Sequence, residues 1–502
     1  LVAITTDQFS AITSEQMASL TTAQVVALTT AQVATLTTDQ LASLTTAQLV
    51  KMETDDLQAI TTAQITALKT AQTAALTTAQ VVALTTAQVA TLTTAQLAAF
   101  TTAQLVTMET GDIAAITTEQ ITSLTTAHVS ALTSDQVLAL TTGQLATLKT
   151  AQVVALTTAN LAAITTAQIT AFTTAQIAAL TTAQVVALTT DQVGVLTTDQ
   201  VGSLTTAQLA KMETDDIAVI STDQIAAMST AQVSTLTTAQ VVALTTDQVG
   251  NLTTAQLAAF TTAQLVKMET DDVAAITTAQ ITALTTAQVA SLSTDQVVAL
   301  TTDQVAVLTT AQLAALTTAQ LAKMETDDIA VITTAQITAL KTAQMAALTS
   351  DQVVTLSSDQ LAVLKTAQVA ALTTANLAVI TTEQITALTS AQIAGLTTAQ
   401  VVALTTGQVS SLTTDQLSNF TTAQIVKMQT DDIVAITTAQ ISSLTAKQVA
   451  SLTTAQVVAL STAQVSALTT EQLSSLTTAQ LVKMETDDLA AITTAQISAL
   501  TT

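Results

Sequence analysis

The chain has 502 residues, about half of them apolar, a net charge of −24, and no Cys, Trp, Tyr, Pro or Arg. The acidity excludes a nucleic-acid partner, because binding phosphates requires clustered cations. The lack of Cys excludes disulfides and thiolate metal sites. With a single His and no Arg, little remains for acid–base catalysis or phosphate binding. We therefore expect no enzymatic activity and no small-molecule ligand.

An uninterrupted octapeptide repeat, typified by Leu-Thr-Thr-Ala-Gln-Val-Val-Ala, organises the whole sequence. Numbering each octad from its leading Leu, Ile, Met or Phe, octads start at Ile4 and every eight residues until Leu500, which gives 62 complete octads. The regularity predicts one uninterrupted repeat array over residues 1–502. Because the chain opens within an octad, we expect it to be a segment of a longer array.

Eight residues overshoot two α-helical turns by roughly 80°, so one continuous helix would spread its leucines around all faces. A coiled coil is therefore not expected. In a β-strand, alternation would separate no apolar face from a polar one. The high content of Thr and Val keeps a β-solenoid as the alternative, although Gly and Asn for its corners are scarce.

Short helices fit the octad better. Thr at position 2 and Gln at position 5 form a capping-box pattern, and the apolar residues at positions 1 and 6 form a hydrophobic staple. Position 2 accepts Lys69 and Lys149 whereas position 3 stays Thr or Ser nearly everywhere, so position 3 is the alternative N-cap. Helices of two turns are unstable alone. The sequence thus predicts an all-α solenoid that buries positions 1 and 6.

Seven octads carry Met-Glu-Thr-Asp-Asp or a close variant, and we call them the marker octads. They begin at Met52, Met108, Met212, Met268, Met324, Met428 and Met484. Two related octads containing Asn160 and Asn376 fill the long gaps, and the nine octads then recur every six or seven octads. We interpret the mean of 6.75 octads as one superhelical turn, which predicts an acidic stripe along one side of the solenoid.

The stripe is the candidate metal site, because repeated carboxylates are the hard oxygen ligands that Ca²⁺ takes. The alternative is that these acids stabilise helix N-termini, with charge balanced by neighbours such as Lys51. No other cofactor is expected. The predicted Ca²⁺ ligands are Glu53, Asp55, Asp56, Glu109, Asp112, Glu213, Asp215, Asp216, Glu269, Asp271, Asp272, Glu325, Asp327, Asp328, Asp431, Asp432, Glu485, Asp487 and Asp488.

Isolated unusual residues have structural interpretations. His128 replaces a position-5 Gln without a His or Cys partner, so we interpret it as a cap substitution and not as a metal ligand. Phe100, Phe260 and Phe420 each open the octad before a marker octad, and we expect them to fill the core.

Two resemblances bear on function. The segment Leu76-Thr77-Thr78-Ala79-Gln80-Val81-Val82-Ala83 resembles the first helix of TAL-effector repeats. The second helix and the base-reading loop of those repeats are missing, so DNA binding does not follow. The Leu-Thr-Thr-x-Gln arrays resemble very large, repetitive bacterial surface and adhesin-like proteins, which implies an extracellular or cell-surface location.

These observations lead to one expected function and one alternative. We expect a structural protein, an extracellular rod, stalk or filament that self-associates into fibres. The alternative is a binding module that uses the solenoid surface or its stripe to engage Ca²⁺, glycans or ice. Thr or Ser recurs in every octad, so no run of 18 consecutive apolar residues occurs and the sequence predicts no transmembrane helix.

Overall fold

The computed structural model describes residues 3–499, which form 62 short α-helices, one per octad, and no β-strand. Each helix begins at position 3 of its octad and has four to six residues; the first is Thr6–Ser10 and the last is Thr494–Ala499. The predicted all-α solenoid of short helices is confirmed. The β-solenoid alternative is excluded for the described residues.

The N-cap of each helix is position 2, as the octad that begins at Leu92 illustrates. Thr93 has extended backbone angles (φ −68°, ψ 157°) immediately before the helix Thr94–Ala99. The amide of Gln96 donates to Thr93 Oγ1 at 3.2 Å, and the amide of Thr93 donates to Gln96 Oε1 at 2.8 Å. Both halves of the predicted capping box are therefore present. The alternative N-cap at position 3 is wrong.

Lys at position 2 keeps only half of the capping box. The amide of Lys69 still donates to Gln72 Oε1 at 2.7 Å, but the Lys69 side chain makes no capping hydrogen bond. The hydrogen bond that the Gln side chain accepts involves only the backbone amide of the N-cap residue. This explains why the repeat accepts Lys at a capping position.

Two consecutive extended residues separate a six-residue helix from the next helix. At one such junction Phe100 has φ −60° and ψ 150°, and Thr101 has φ −81° and ψ 158°. Both sets of angles lie in the β/polyproline region that any L-residue adopts. The chain therefore changes direction at every octad without Gly or Pro.

Except in the first and last octads of the described residues, each octad contributes three residues to the core. In these octads the position-1 and position-6 side chains are almost completely buried, for example Leu180 at 4% exposed and Ile177 at 0%. These two positions were predicted, and the predicted burial of Phe100, Phe260 and Phe420 is also confirmed. The position-5 Gln, such as Gln176 at 2% exposed, is buried as well. Its burial was not predicted.

Helices three octads apart pack against each other. The helix Thr70–Ala75 packs against Thr94–Ala99, and Thr286–Ser291 packs against Thr310–Ala315. The side chain of Asn160 bonds to residues 26 and 28 positions earlier in the chain, so one superhelical turn is about 27 residues. A turn therefore contains between three and four octads.

The expected turn of 6.75 octads is wrong by a factor of two. From Asp56 to Asp488 the eight intervals average 54 residues, which corresponds to two turns of about 27. A periodic marker cannot distinguish one turn from two, since either brings it back to the same side. In this tighter ring the position-1 and position-6 side chains are buried, for example Leu180 at 4% exposed and Ile177 at 0%.

The described chain divides into two units, with the boundary between Leu252 and Thr253. The same packing of helices three octads apart occurs within each unit. The octad pattern continues through the boundary without insertion or deletion. A single array over residues 1–502 stays a prediction.

Candidate functional site

The position-5 Gln links successive turns of the solenoid, and we call its set of hydrogen bonds the glutamine clasp. Gln176 illustrates it: the Nε2 donates to the carbonyl oxygens of Leu145 at 2.9 Å and Leu148 at 2.7 Å, one turn earlier. The Oε1 of the same amide accepts from the Thr173 amide at 2.7 Å. The carboxamide therefore serves as donor and acceptor at once, and it satisfies buried backbone groups on two turns.

Gln at this position could have revealed the clasp from sequence. A capping box accepts either Glu or Gln at N3, yet position 5 never contains Glu in the 62 octads. Only Gln has an N–H donor in addition to the acceptor that the cap requires. The exclusion of Glu therefore signals a second partner for the side chain.

Asn reproduces half of the clasp. Asn160 Nδ2 donates to Leu132 O at 3.0 Å, and Asn160 Oδ1 accepts from Ser134 Oγ at 3.2 Å. The equivalent residue Asn376 bonds to Leu348 O at 2.9 Å. The shorter side chain keeps the hydrogen bond between turns. Its oxygen accepts from a hydroxyl of the preceding turn and not from the amide of its own N-cap residue.

The marker octads place Asp at the clasp position. Each marker helix begins one residue after Glu53 or its equivalent, and the N-cap Glu makes no capping hydrogen bond with its side chain. Glu is too long for the cap geometry that favours Ser, Thr, Asp and Asn. The marker helices are Thr54–Ala59, Thr110–Ala115, Thr214–Val219, Thr270–Ala275, Thr326–Val331, Thr430–Ala435 and Thr486–Ala490.

The three acids of a marker octad do not converge. Glu53 and Asp55 are exposed, whereas Asp56 is only 3% exposed. Within residues 3–499, no group of three His, Cys, Asp or Glu side chains is arranged to hold a metal ion. The remaining predicted ligands repeat this pattern, with the position-5 Asp of each marker octad buried. Ca²⁺ binding by the stripe stays a prediction.

The buried Asp side chains are incompletely hydrogen-bonded. Among the described residues, four of these side chains have a buried Oδ2 without a hydrogen-bond partner, namely Asp56, Asp272, Asp328 and Asp488. Burial, with smaller contributions from Glu325 and Asp327, raises the pKa of Asp328 to about 6. Burial also raises the pKa of Asp56, although the Thr30 hydroxyl partly offsets that rise. Burial raises the pKa of the position-5 Asp in all seven marker octads.

One marker octad contains Gln429 in place of the N-cap Glu. There the Gln429 amide donates to Asp432 Oδ2 at 3.1 Å, and Gln429 Nε2 donates to Val402 O at 2.9 Å. Burial still raises the pKa of Asp432. A neutral N-cap side chain therefore supplies a bond between turns that the Glu variants cannot donate.

Comparison with known proteins identifies the repeat. A family model described as the ALTTAQ repeat matches residues 17–46, 49–86, 105–142, 139–174, 171–206, 209–246, 265–302, 321–358, 353–390, 377–414, 386–422, 425–462 and 447–478. These segments cover more than half of the chain. The chain belongs to the ALTTAQ repeat family. No curated protein matches it.

His128 occupies the clasp position of one ALTTAQ octad. Its Nδ1 accepts from the Thr125 amide at 3.3 Å, and its own amide donates to Thr125 Oγ1 at 3.2 Å. Burial lowers the pKa of His128, and a hydrogen bond to the Phe100 backbone partly opposes that shift. The interpretation of His128 as a cap substitution is confirmed. A neutral imidazole provides the acceptor and donor that the Gln carboxamide supplies elsewhere.

The surface of the ALTTAQ octads contains shallow grooves that are open to solvent. Two of them are equivalent in register, one between Leu92 and Glu119 and the other between Leu356 and Glu383. Each is lined mainly by Thr, Ser and Gln side chains.

No helix within residues 3–499 is long and apolar enough to span a membrane.

Proposed function

We propose that this chain is a structural repeat protein that forms an extended extracellular rod, stalk or filament, without enzymatic activity. The observation that carries the proposal is the glutamine clasp, which joins an octad to the octads three and four positions earlier, as Gln176 does with Leu148 and Leu145. Gln176 and Gln408 make equivalent bonds in the two units. Each turn thus uses the same contacts as the turn before it.

Such local contacts favour a long structure. In a solenoid, stability is approximately a sum of repeat and nearest-neighbour terms, so turns can be added without redesigning the core. Each clasp bond contributes about 0.5–1.5 kcal/mol net, and the bonds recur along the chain. A protein selected for length benefits from a unit of only eight residues.

The proposed location rests on sequence. The Leu-Thr-Thr-x-Gln arrays are similar to those of very large bacterial surface proteins, and the chain contains no Cys to be oxidised outside the cell. The net charge of −24 favours a solvated surface that resists non-specific collapse. We therefore place the rod on the surface of a bacterial cell.

Small-angle X-ray scattering of the full chain tests the rod. About 27 residues per turn and a rise of roughly 8–10 Å give a length of about 150–190 Å, and a radius of gyration of roughly 45–55 Å. A compact globule of this size would have a radius of gyration of about 23 Å. A value near the second figure would contradict the proposal.

Location and self-association need separate measurements. Antibodies against the octad should label intact cells of the source organism as strongly as permeabilised cells. Labelling only after permeabilisation would contradict an extracellular location. Sedimentation velocity over a hundredfold concentration range should show growing species if the rods form fibres, whereas a constant monomer would contradict self-association and leave the rod itself intact.

A further inference from the structure

The Asn octads show what a short polar side chain does at the clasp position. Asn160 Nδ2 donates to the carbonyl 28 residues earlier, on Leu132, and Asn160 Oδ1 accepts from the hydroxyl 26 residues earlier, on Ser134. Asn376 makes the same two bonds with Leu348 and Ser350. The geometry therefore provides one acceptor and one donor to this side chain.

A marker Asp has the shape of Asn but differs in its hydrogen-bonding capacity. The hydroxyl of Thr30, 26 residues before Asp56, hydrogen-bonds to the Asp56 carboxylate as Ser134 does to Asn160. The second oxygen, Oδ2, is buried and has no partner among the described residues. The residue 28 positions earlier is Leu28, whose carbonyl is also an acceptor. An ionised Asp56 cannot donate to it.

We propose that the marker aspartates are proton-binding sites, and that each protonated carboxyl donates a hydrogen bond to the main-chain carbonyl one turn earlier. Without the proton, the carboxylate oxygen and the main-chain carbonyl are both acceptors. With the proton, the carboxyl becomes a donor and makes the bond that Asn160 makes in its own octad. Acid would therefore strengthen the contact between turns at every marker octad. The buried Oδ2 without a partner is found in Asp56, Asp272, Asp328 and Asp488. Asp112, Asp216 and Asp432 occupy the equivalent position.

The charges around Asp56 come from its own octad. Its helix packs against Thr30–Ala34 on one side and Thr78–Val82 on the other, and neither helix contains a titratable residue. Glu53 and Asp55 raise the pKa of Asp56 further after burial, which is the largest cause. Lys51 precedes the octad and is exposed. No cation faces the buried Asp56 carboxyl from the helices packed on it.

The other sites vary in their surroundings. The helix of Asp328 packs against Thr302–Val307 and Ser350–Val354, which contribute the exposed acids Asp303 and Asp351. Its own octad adds Glu325 and Asp327, and the exposed Lys323 lies just before that octad.

The helix of Asp488 packs against Thr462–Ala467, which has no titratable residue. Its own octad contributes the acids Glu485 and Asp487, both of which raise the pKa of Asp488 after burial. The exposed Lys483 precedes the octad. Asp432 differs, because its Oδ2 already accepts from Gln429. We therefore expect the smallest response at Asp432.

The direction of the pH effect follows from the raised pKa. An exposed Asp has a pKa of 3.8, and the pKa values of Asp272 and Asp328 are about 6. The folded chain then binds these protons about a hundredfold more tightly than the unfolded chain. The resulting stabilisation is fully present below pH 3.8 and is lost as the pH rises through about 6.

Thermal unfolding of the full chain between pH 4.5 and 7.5 at constant ionic strength tests the proposal. We expect the melting temperature to rise as the pH falls through 6. In a variant with all seven marker Asp changed to Asn, the melting temperature at pH 7.5 should be higher than in the native chain and should change little with pH. Asn160 and Asn376 show that the fold accepts Asn at this position.

A matched control separates the marker sites from a general reduction in negative charge. It changes seven exposed position-4 aspartates to Asn, namely Asp39, Asp135, Asp199, Asp247, Asp295, Asp359 and Asp415. Both variants lose seven negative charges, but only the marker variant should lose the acid stabilisation. Equal loss in the two variants would overturn the proposal. So would a native chain whose melting temperature falls on acidification, as expected if a bound cation were displaced by protons.

Infrared spectroscopy provides a second test that needs no folded variant. The native chain should show a protonated carboxyl C=O band that appears near pH 6, separate from the band of the exposed acids near pH 4. A single titration near pH 4 would overturn the proposal.

Discussion

The side-chain amide of Asn160 donates a 3.0 Å hydrogen bond to the main-chain carbonyl of Leu132, one superhelical turn earlier. Gln makes the same bond in ordinary octads, as Gln176 does with Leu148. This contact explains why the repeat retains a carboxamide at position 5. The oxygen accepts the capping hydrogen bond, and the nitrogen donates the hydrogen bond between turns.

Changing a clasp Gln to Glu should destabilise the solenoid locally. In Gln144→Glu, the buried carboxylate keeps an acceptor for the Thr141 amide but cannot donate to Ile116 O at neutral pH. We expect a loss of about 1–3 kcal/mol, measured by amide hydrogen exchange of the affected turns. The control Gln144→Asn retains the bond between turns and should lose less. Equal losses would contradict the donor role.

Removing the N-cap hydroxyl at position 2 should lower the stability of the chain more than removing the hydroxyl at position 3. Thr173→Ala deletes the acceptor for the Gln176 amide, a bond of 3.2 Å. We expect a local loss of about 0.5–2 kcal/mol. Thr174→Ala changes the first helical residue and should cost less. Circular dichroism under denaturant compares the two, and a larger effect at Thr174 would restore position 3 as the cap.

Truncation at position 1 should be among the most damaging changes. Leu180 is 4% exposed, so Leu180→Ala should leave a cavity and destabilise the chain by about 2–5 kcal/mol. Val186 is 37% exposed, and Val186→Ala is the matched control with an expected effect below about 0.5 kcal/mol. Similar losses in denaturant unfolding would mean that the buried face is assigned incorrectly.

The calcium prediction for the stripe has its own measurement. If Ca²⁺ binds there, millimolar CaCl₂ should raise the melting temperature more than NaCl of equal ionic strength. Changing each marker Asp pair to Ala-Gln, the ordinary octad, should remove the difference. If the two salts act alike on the native chain, the exposed Glu53 and Asp55 serve only at the helix end.

Sequence reasoning predicted the local structure well, because it depends on interactions within eight residues. The cap at Thr93 and the burial of Ile177 and Leu180 follow from residue type and spacing. The partner of Gln176 could not be predicted, since Leu148 lies 28 residues away and no pattern specifies that distance. The marker spacing also left the number of turns between markers undetermined.

The candidate site was predicted in position but not in arrangement. The sequence placed Glu53, Asp55 and Asp56 together, whereas the fold exposes the first two and buries the third. Their separation depends on Asp56 occupying the clasp position, which faces the preceding turn. Without knowledge of the clasp, the three acids are indistinguishable as ligands.

The turn of about 27 residues can be tested most directly by crosslinking, because the chain contains no Cys of its own. Ser443 Oγ donates to Thr414 O at 3.3 Å, so these residues lie on adjacent turns. Thr414→Cys with Ser443→Cys should crosslink rapidly with a short bismaleimide. The control pair Thr414→Cys with Ala467→Cys lies two turns apart and should not. Preferential crosslinking of the control pair would restore the longer turn and contradict the account.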